Sequence, residues 1–250
     1  MLLEIRNLRK SFGGLTVIDD VSFGIPAGQK TALIGPNGAG KTMLFNLISG
    51  VYPASGGSIR LDGAELTEVP AVQRVRHGLA RTFQNLRLVG HLTALENVMV
   101  GQHHRAGSWL ETVLLGTRNR WAREARAALD AAGLGSHADV LVRNLPFGVR
   151  KQIELVRAMM ARPKLLLLDE PAAGLNPTET NQLRAHVEEI VRSGVTVLVI
   201  EHDMGFVGSF CEAVVVLNFG RKIAEGSPAE VRQMPEVREA YLGTEVTADG

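Results

Sequence analysis

Cysteine is almost absent from this sequence, because Cys211 is the single one among 250 residues. An internal disulfide is therefore excluded, and the composition fits a reducing compartment. Aromatic residues are also sparse at 5%, whereas apolar residues reach 45% and suffice for a packed core. With Phe210 before it and Ala213 two residues after it, Cys211 is predicted to be a small core residue.

Net charge and long hydrophobic runs are lacking as well. The 27 basic and 26 acidic residues leave a formal charge of +1, so we expect no nucleic-acid partner. The longest apolar runs, such as Val195–Ile200, are far too short to span a bilayer. Residues Met1–Arg6 lack the pattern of a signal peptide. We expect a protein that is soluble by itself and depends on another chain for any membrane span.

The most informative stretch is the glycine-rich sequence from Gly35 to Thr42, which fits the phosphate-binding pattern G-x-x-x-x-G-K-[ST]. The apolar residues 31–34 predict a strand before it, and residues 41–49 predict a helix after it that Gly50 ends. Backbone N–H groups at such a turn and helix N-terminus bind polyphosphate oxygens. The alternative is a plain glycine-rich turn, but the fixed positions and the flanking elements favour nucleoside triphosphate binding.

Other elements follow from periodicity and turn residues. The first third is β-rich, the segment 86–161 is mainly helical, and the last third alternates strands and helices. Unbroken apolar strands separated by a helix predict a parallel sheet covered on both faces. The predicted strands are 2–8 (as an edge strand), 21–25, 58–61, 165–168, 195–200, 214–217 and 221–224; the predicted helices are 121–132 and 178–192, a short one from Pro228, and a loop with a short helix at 103–120.

Acidic and imidazole side chains follow two of these strands. Asp169 and Glu170 come directly after 165–168, and Glu201 and His202 follow 195–200. The carboxyl ends of parallel strands share one edge of a sheet, where such folds bind ligands. Asp169 is predicted to hold a magnesium ion, and Glu170 to orient the attacking water. His202 is predicted to donate to the γ-phosphate, with a purely structural histidine as the alternative.

The order of these motifs resembles the ATPase subunits of ABC transporters over essentially the whole chain. The resemblance rests on the phosphate loop, Gln84 after Arg81-Thr82-Phe83, a Leu-x-x-Gly helix start at Leu145, the Leu-Asp-Glu at 168–170, and His202. It implies an α/β fold of the P-loop NTPase (RecA-like) type, with a mainly parallel sheet core, an N-terminal antiparallel β subdomain and an inserted helical subdomain. The expected single domain spans 1–243 (core 1–85 and 162–243, helical subdomain 86–161), followed by a tail at 244–250.

The resemblance also implies roles for individual residues, with ATP and Mg²⁺ as cofactors. The expected catalytic residues are Glu170, His202, Lys41 and Gln84, and the expected metal ligands are Thr42, Gln84 and Asp169. The expected nucleotide-binding residues are Phe12 (stacked on adenine), Val17, Gly35, Pro36, Asn37, Gly38, Ala39, Gly40, Lys41, Thr42, Met43, Gln84, Asp169 and Gly148. Family members form head-to-tail dimers, in which Leu145–Val149 (the signature segment) of one subunit completes the ATP site of the other.

The signature segment departs from the family's usual Leu-Ser-Gly-Gly-Gln, because it is Leu145-Pro146-Phe147-Gly148-Val149. Pro146 offers neither a serine hydroxyl nor an N–H, although it suits the first turn of the next helix. Gly148 can still present its backbone N–H. Our hypothesis is that the site completed by this signature holds ATP less tightly than one completed by an intact signature.

A finer resemblance concerns the branched-chain amino-acid uptake group. It rests on 80–88 (ARTFQNLRL), 96–101, 170–176, 200–204 and the ending Glu239-Ala240-Tyr241-Leu242-Gly243. The expected partners are a second ATPase chain, in a heterodimer or a homodimer, two transmembrane permease subunits and an extracytoplasmic substrate-binding protein, at the cytoplasmic face of the cell membrane. Urea or amide uptake, lipopolysaccharide export and a soluble ABC ATPase are the alternatives.

Overall fold

The fold is taken from a computed structural model, which describes residues 1–103, 117–202 and 204–245. The strands are β1 (Leu3–Phe12), β2 (Leu15–Ile25), β3 (Lys30–Ile34), β4 (Gly56–Leu61), β5 (Ala64–Glu65), β6 (Leu79–Arg81), β7 (Leu165–Asp169), β8 (Thr196–Ile200), β9 (Ala213–Asn218) and β10 (Arg221–Gly226). The helices are α1 (Lys41–Ile48), α2 (Ala71–Arg74), α3 (Ala94–Val100), α4 (Thr117–Ala131), α5 (Phe147–Met159), α6 (Pro177–Arg192), α7 (Met204–Phe210), α8 (Pro228–Val231) and α9 (Pro235–Glu245).

The strands form two sheets. A four-stranded antiparallel sheet has the order β2-β1-β4-β5, and a six-stranded sheet has the order β10-β9-β3-β8-β7-β6. In the larger sheet β9, β3, β8, β7 and β6 are parallel, and β10 adds antiparallel at one edge. The predicted fold class, a mainly parallel core with an N-terminal antiparallel sheet, is confirmed.

The core lies on both faces of the larger sheet. The antiparallel sheet and the apolar face of α1, with Leu44, Phe45 and Leu47, cover one face. Helices α6 and α7 cover the other face through Leu183, Val187 and Phe206, and Cys211 is buried among them as predicted. Burial raises the pKa of the Cys211 thiol to about 12, so this thiol stays protonated. A separate apolar cluster joins α3, α4 and α5.

Several predicted boundaries were wrong. We predicted β1 as an edge strand, but it pairs with both β2 and β4. Strand β2 begins at Leu15, directly after a two-residue turn in which Gly13 has a φ of +55°. It therefore runs back along the whole of β1 and covers one side of it, while β4 covers the other. Asp19 and Asp20 interrupt the apolar residues of β2, and we predicted only the part that follows them. Pro146 is the N-cap of α5 instead of a residue of its first turn, since its ψ of 154° is extended.

Helix α4 is longer than the sequence predicts, and helix α9 was not predicted. Helix α4 begins at Thr117, before the predicted start, whereas most of the predicted loop at 103–120 lies outside the described residues. Helix α9 was missed, and it includes Thr244 and Glu245 of the predicted tail. The helices between β6 and β7 occupy the predicted helical segment, but the domain bounds themselves stay a prediction. Over the described residues, no helix combines the length and apolar character needed to cross a bilayer.

Candidate nucleotide site

The phosphate loop connects β3 to α1 and is shaped by its glycines. Gly38 and Gly40 adopt left-handed backbone conformations, with φ of +80° and +100°. A Cβ on Gly35 would lie 2.1 Å from the Leu217 carbonyl oxygen, so only glycine fits against β9 there. No described side chain caps the N-terminus of α1, and its partial positive charge is left for an anion.

Lys41 is folded back over this loop. Its Nζ donates to the carbonyl oxygens of Gly35 at 2.7 Å and Pro36 at 3.0 Å. Burial lowers the pKa of the Lys41 ammonium, while the nearby carboxylates of Glu170 and Asp169 act in the opposite direction. The ammonium is therefore desolvated beside the loop, where a point charge interacts strongly with phosphate oxygens.

The sheet brings the distant sequence motifs to the same edge. In the β7–β8 ladder Asp169 lies opposite Ile200, so Glu170 and His202 follow neighbouring strands. A cavity of about 270 Å³ is lined by Val17, the loop residues Asn37 to Met43, Glu170 and His202. Six of the predicted nucleotide-binding residues are not among those that line this cavity: Phe12, Gly35, Pro36, Gln84, Asp169 and Gly148. Phe12 contacts Tyr52 and Lys10 instead, and Gly148 lies at the start of α5.

Glu170 is held from two sides. Gln84 Nε2 donates to Oε2 at 2.8 Å, and His202 Nε2 lies 2.7 Å from Oε1. A carboxylate at Oε1 accepts a hydrogen bond, so the imidazole tautomer with its proton on Nε2 fits this contact. Glu170 also has a φ of +47°, a strained conformation for a residue with a Cβ and one that is typical of functional sites. The three residues predicted as catalytic partners thus form one hydrogen-bonded group.

Asp169 has a partner that the sequence analysis did not anticipate. Arg81 Nη2 contacts Asp169 Oδ2 at 2.9 Å, and both side chains are 6% exposed. Arg81 Nη1 donates to Asn46 Oδ1 at 2.7 Å and to Ser49 Oγ at 3.0 Å, which ties the end of α1 to β7. The one sign of this pair in the sequence is a charged residue, Arg81, in a strand otherwise made of Leu79 and Ala80.

Glu201 is a second residue whose role the sequence left open. Its side chain is buried, and Oε1 accepts a hydrogen bond from the backbone N–H of Ala172 at 3.1 Å. Burial raises the pKa of this carboxyl, and the hydrogen bonds from Ala172 and His202 partly oppose the shift. Glu201 therefore fixes the turn that directly follows Glu170 and leads into Ala173–Asn176.

The residues around the cavity fit the phosphates and the magnesium ion of a bound nucleotide. The glycine cradle, the uncapped helix N-terminus and the desolvated ammonium form an anion site. The Thr42 hydroxyl is exposed to the same cavity, as a magnesium ligand requires. Asp169 has its Oδ2 on Arg81, which leaves Oδ1 as the oxygen that can face a cation or its water shell.

Comparison with known proteins gives the family. The family model described as ABC transporter matches residues 18–173, and the one described as branched-chain amino acid ATP-binding cassette transporter matches residues 221–247. The chain belongs to the ABC transporter ATP-binding family. It is thus an ATP-binding cassette, the ATPase subunit that works with transmembrane permeases.

Individual relatives cover nearly the whole cassette. It is 41% identical to the high-affinity branched-chain amino acid transport ATP-binding protein BraF of Pseudomonas aeruginosa, over 97% of this chain and 98% of that one. It is 31% identical to the lipopolysaccharide export ATP-binding protein LptB of Escherichia coli, over 96% and 97%. A crystal structure of an ABC transporter cassette in its ADP conformation superimposes with a TM-score of 0.85 at 31% identity, over 97% and 98%.

Proposed function

We propose that this cassette binds Mg²⁺-ATP and hydrolyses it to drive the uptake of branched-chain amino acids. The observation that carries the catalytic part is the Glu170 carboxylate, fixed by Gln84 and His202 at the edge of the phosphate-loop cavity. A carboxylate held in this way can orient a water molecule and accept its proton. Catalysis of phosphoryl transfer depends on such positioning and on charge neutralisation.

Each further residue has a role in the proposal. The loop Gly35–Met43 binds the phosphates, Lys41 neutralises their charge, and Val17 and Phe12 are assigned to the adenine side. Thr42, Gln84 and Asp169 would hold Mg²⁺, which would neutralise charge on the phosphate oxygens. Gly148, at the start of α5, is assigned to the nucleotide of a second ATPase chain by its place in the signature segment.

The cargo and the partners are assigned from the similarity of this chain to named transport proteins. Relatives 40% to 41% identical are named branched-chain amino acid transport proteins, and the C-terminal match has the same description. We therefore assign the cassette to the cytoplasmic face of the membrane, paired with a second ATPase chain on two permeases that a substrate-binding protein supplies. The altered signature favours a heterodimer, since a homodimer would contain two altered sites.

The test compares wild type with Glu170→Gln in ATP turnover, alone and with the permeases and a second ATPase chain. We expect turnover to vanish in Glu170→Gln while ATP-stabilised dimers accumulate, because the acceptor of the water proton is lost and nucleotide binding is kept. Turnover that survives the substitution would contradict the role of Glu170. Leucine uptake by proteoliposomes tests the cargo, and ATP-dependent extraction of lipopolysaccharide would favour the export alternative instead.

A further inference from the structure

The segment after Gln84 has no regular secondary structure, yet its backbone is held at alternate residues by side chains of two helices. From α5, Glu154 Oε1 accepts from the Arg87 N–H at 3.0 Å, and Arg157 Nη1 donates to the Arg87 carbonyl oxygen at 2.6 Å. From α3, Asn97 Oδ1 accepts from the Val89 N–H at 2.8 Å, and its Nδ2 donates to the Val89 carbonyl oxygen at 3.1 Å. Both peptide groups of each residue are thus engaged.

Two of these three side chains are buried, and Arg157 is partly exposed. Glu154 is 2% exposed and Asn97 is 0% exposed. Glu154 and Arg157 also contact each other at 3.3 Å. A buried carboxylate is costly unless it has partners. Glu154 Oε1 has two, the Arg87 N–H and Arg157 Nη2, and α5 therefore binds one particular backbone position of the segment.

The two ends of this region are held by different parts of the molecule. The Thr82 N–H donates to the Leu167 carbonyl oxygen of β7 at 2.9 Å, which fixes the chain to the larger sheet. From Arg87 onwards the partners are helical residues, including Arg143, whose N–H donates to the Gly90 carbonyl oxygen at 3.2 Å. Between these anchors, residues 83–86 make no backbone hydrogen bond to any other described residue. The segment 87–92 is therefore joined to α3 and α5 and separated from the sheet by four residues.

We infer that Glu154, Arg157 and Asn97 are positioning residues, which make the segment 87–92 one mechanical unit with α3 and α5. Since α5 begins at the signature segment, a displacement of that segment carries residues 87–92 with it. The inference rests on the proposed function, in which this side of the cassette moves a docked permease. It assigns the transmission to three side chains that do not line the phosphate-loop cavity.

The test measures amide hydrogen exchange in the nucleotide-free full chain, together with ATP affinity and transport. In Glu154→Ala, we expect exchange at the Arg87 and Val89 amides to accelerate at least tenfold. Asn97→Ala should accelerate both amides as well, because the segment is released as a unit. ATP affinity should stay within about twofold, whereas transport per ATP hydrolysed should fall about tenfold.

Two further variants keep the test decisive. Glu154→Gln keeps an acceptor for the Arg87 N–H and removes only the charge. Its expected result is slow exchange at Arg87 with transport close to that of wild type, and Asn97→Ala carries the test if Glu154→Ala does not fold. The control is Glu225→Ala, which breaks an exposed pair of the same spacing with Lys222 and should change neither exchange nor transport.

The outcomes separate this inference from the proposed function. Unchanged exchange at Val89 in Glu154→Ala would contradict the claim that residues 87–92 are held as one unit. Undiminished transport in a variant with fast exchange would contradict the positioning role of the three side chains. If wild type neither binds ATP nor supports uptake, the proposed function fails, while the exchange result still decides whether the segment is held as described.

Discussion

The phosphate loop and the segment 87–92 are both irregular stretches, but they are held in opposite ways. The phosphate loop is shaped mainly by backbone, through glycines with positive φ and a carbonyl of β9 against Gly35. The side-chain contact on the loop carbonyls comes from Lys41, a residue of the loop itself. The segment 87–92 is held by side chains of two helices, with Asn97 of α3 only 8 residues from its partner and Glu154 of α5 67 residues from its own. Backbone shape recognises phosphate through fixed N–H groups, whereas side-chain anchors allow a segment to follow the helices that carry them.

The largest expected effect comes from forcing a Cβ into the phosphate loop. Gly35→Ala would place that atom 2.1 Å from the Leu217 carbonyl oxygen, so we expect the free energy of unfolding to fall by about 4 kcal/mol. ATP affinity should be lost as the loop shifts. The matched control is Gly38→Ala, whose φ is +80° but whose Cβ meets nothing within 4 Å. It should lose only about 1 kcal/mol in urea unfolding without nucleotide; equal losses would contradict the steric argument.

The next effect concerns Arg81, which connects the end of α1 to Asp169 at the end of β7. Arg81→Met would leave the Asp169 carboxylate buried without its cation, so we expect a loss of about 3 kcal/mol in urea unfolding. In the double variant Arg81→Met/Asp169→Asn the unpaired charge is gone, and about half of the loss should be recovered. Double-mutant analysis of unfolding checks this. Additive losses would show that the pair does not carry the stability of this edge.

The comparison also shows where sequence reasoning succeeds. The phosphate loop, the strands that end at Asp169 and Ile200, and the meeting of Glu170 with His202 follow from local patterns, because glycine, lysine and apolar runs carry their own geometry. The Arg81 pair and the anchors from Glu154 and Asn97 do not follow. A charged or amide side chain on a helix gives no local sign of whether it is solvated or bound to a backbone group outside that helix.

A smaller effect is expected at the signature segment. Pro146 is the N-cap of α5 and supplies no side-chain hydrogen bond there. Pro146→Ser would provide a hydroxyl, which should stabilise the chain by about 1 kcal/mol as a helix cap. In the assembled dimer the same hydroxyl should tighten ATP binding several-fold at the site that this signature completes. Fluorescent nucleotide titration checks this, and unchanged affinity and turnover would contradict our hypothesis on Pro146.

The smallest expected effect is a pH dependence of the free energy of unfolding, and it comes from the Glu154 carboxyl. Burial raises the pKa of Glu154 above its ordinary value of 4.5, although Arg157, Lys151 and Arg87 act against the shift. The folded chain thus keeps this proton at pH values where the unfolded chain has lost it, and the stability that Glu154 contributes falls as pH rises above 4.5. Glu154→Gln cannot titrate. Its unfolding free energy relative to wild type should therefore increase as pH rises toward neutrality.

Glu65 gives a control of opposite sign for that measurement. The Thr67 hydroxyl donates to this exposed carboxylate and lowers its pKa, with a smaller contribution from Arg60. Its contribution to stability is present above the ordinary pKa and is lost as pH falls. Glu65→Gln should therefore become less stable relative to wild type as pH rises, while Glu154→Gln becomes more stable. The same slope in both variants would show that global charge, and not the burial of the Glu154 anchor, sets the response.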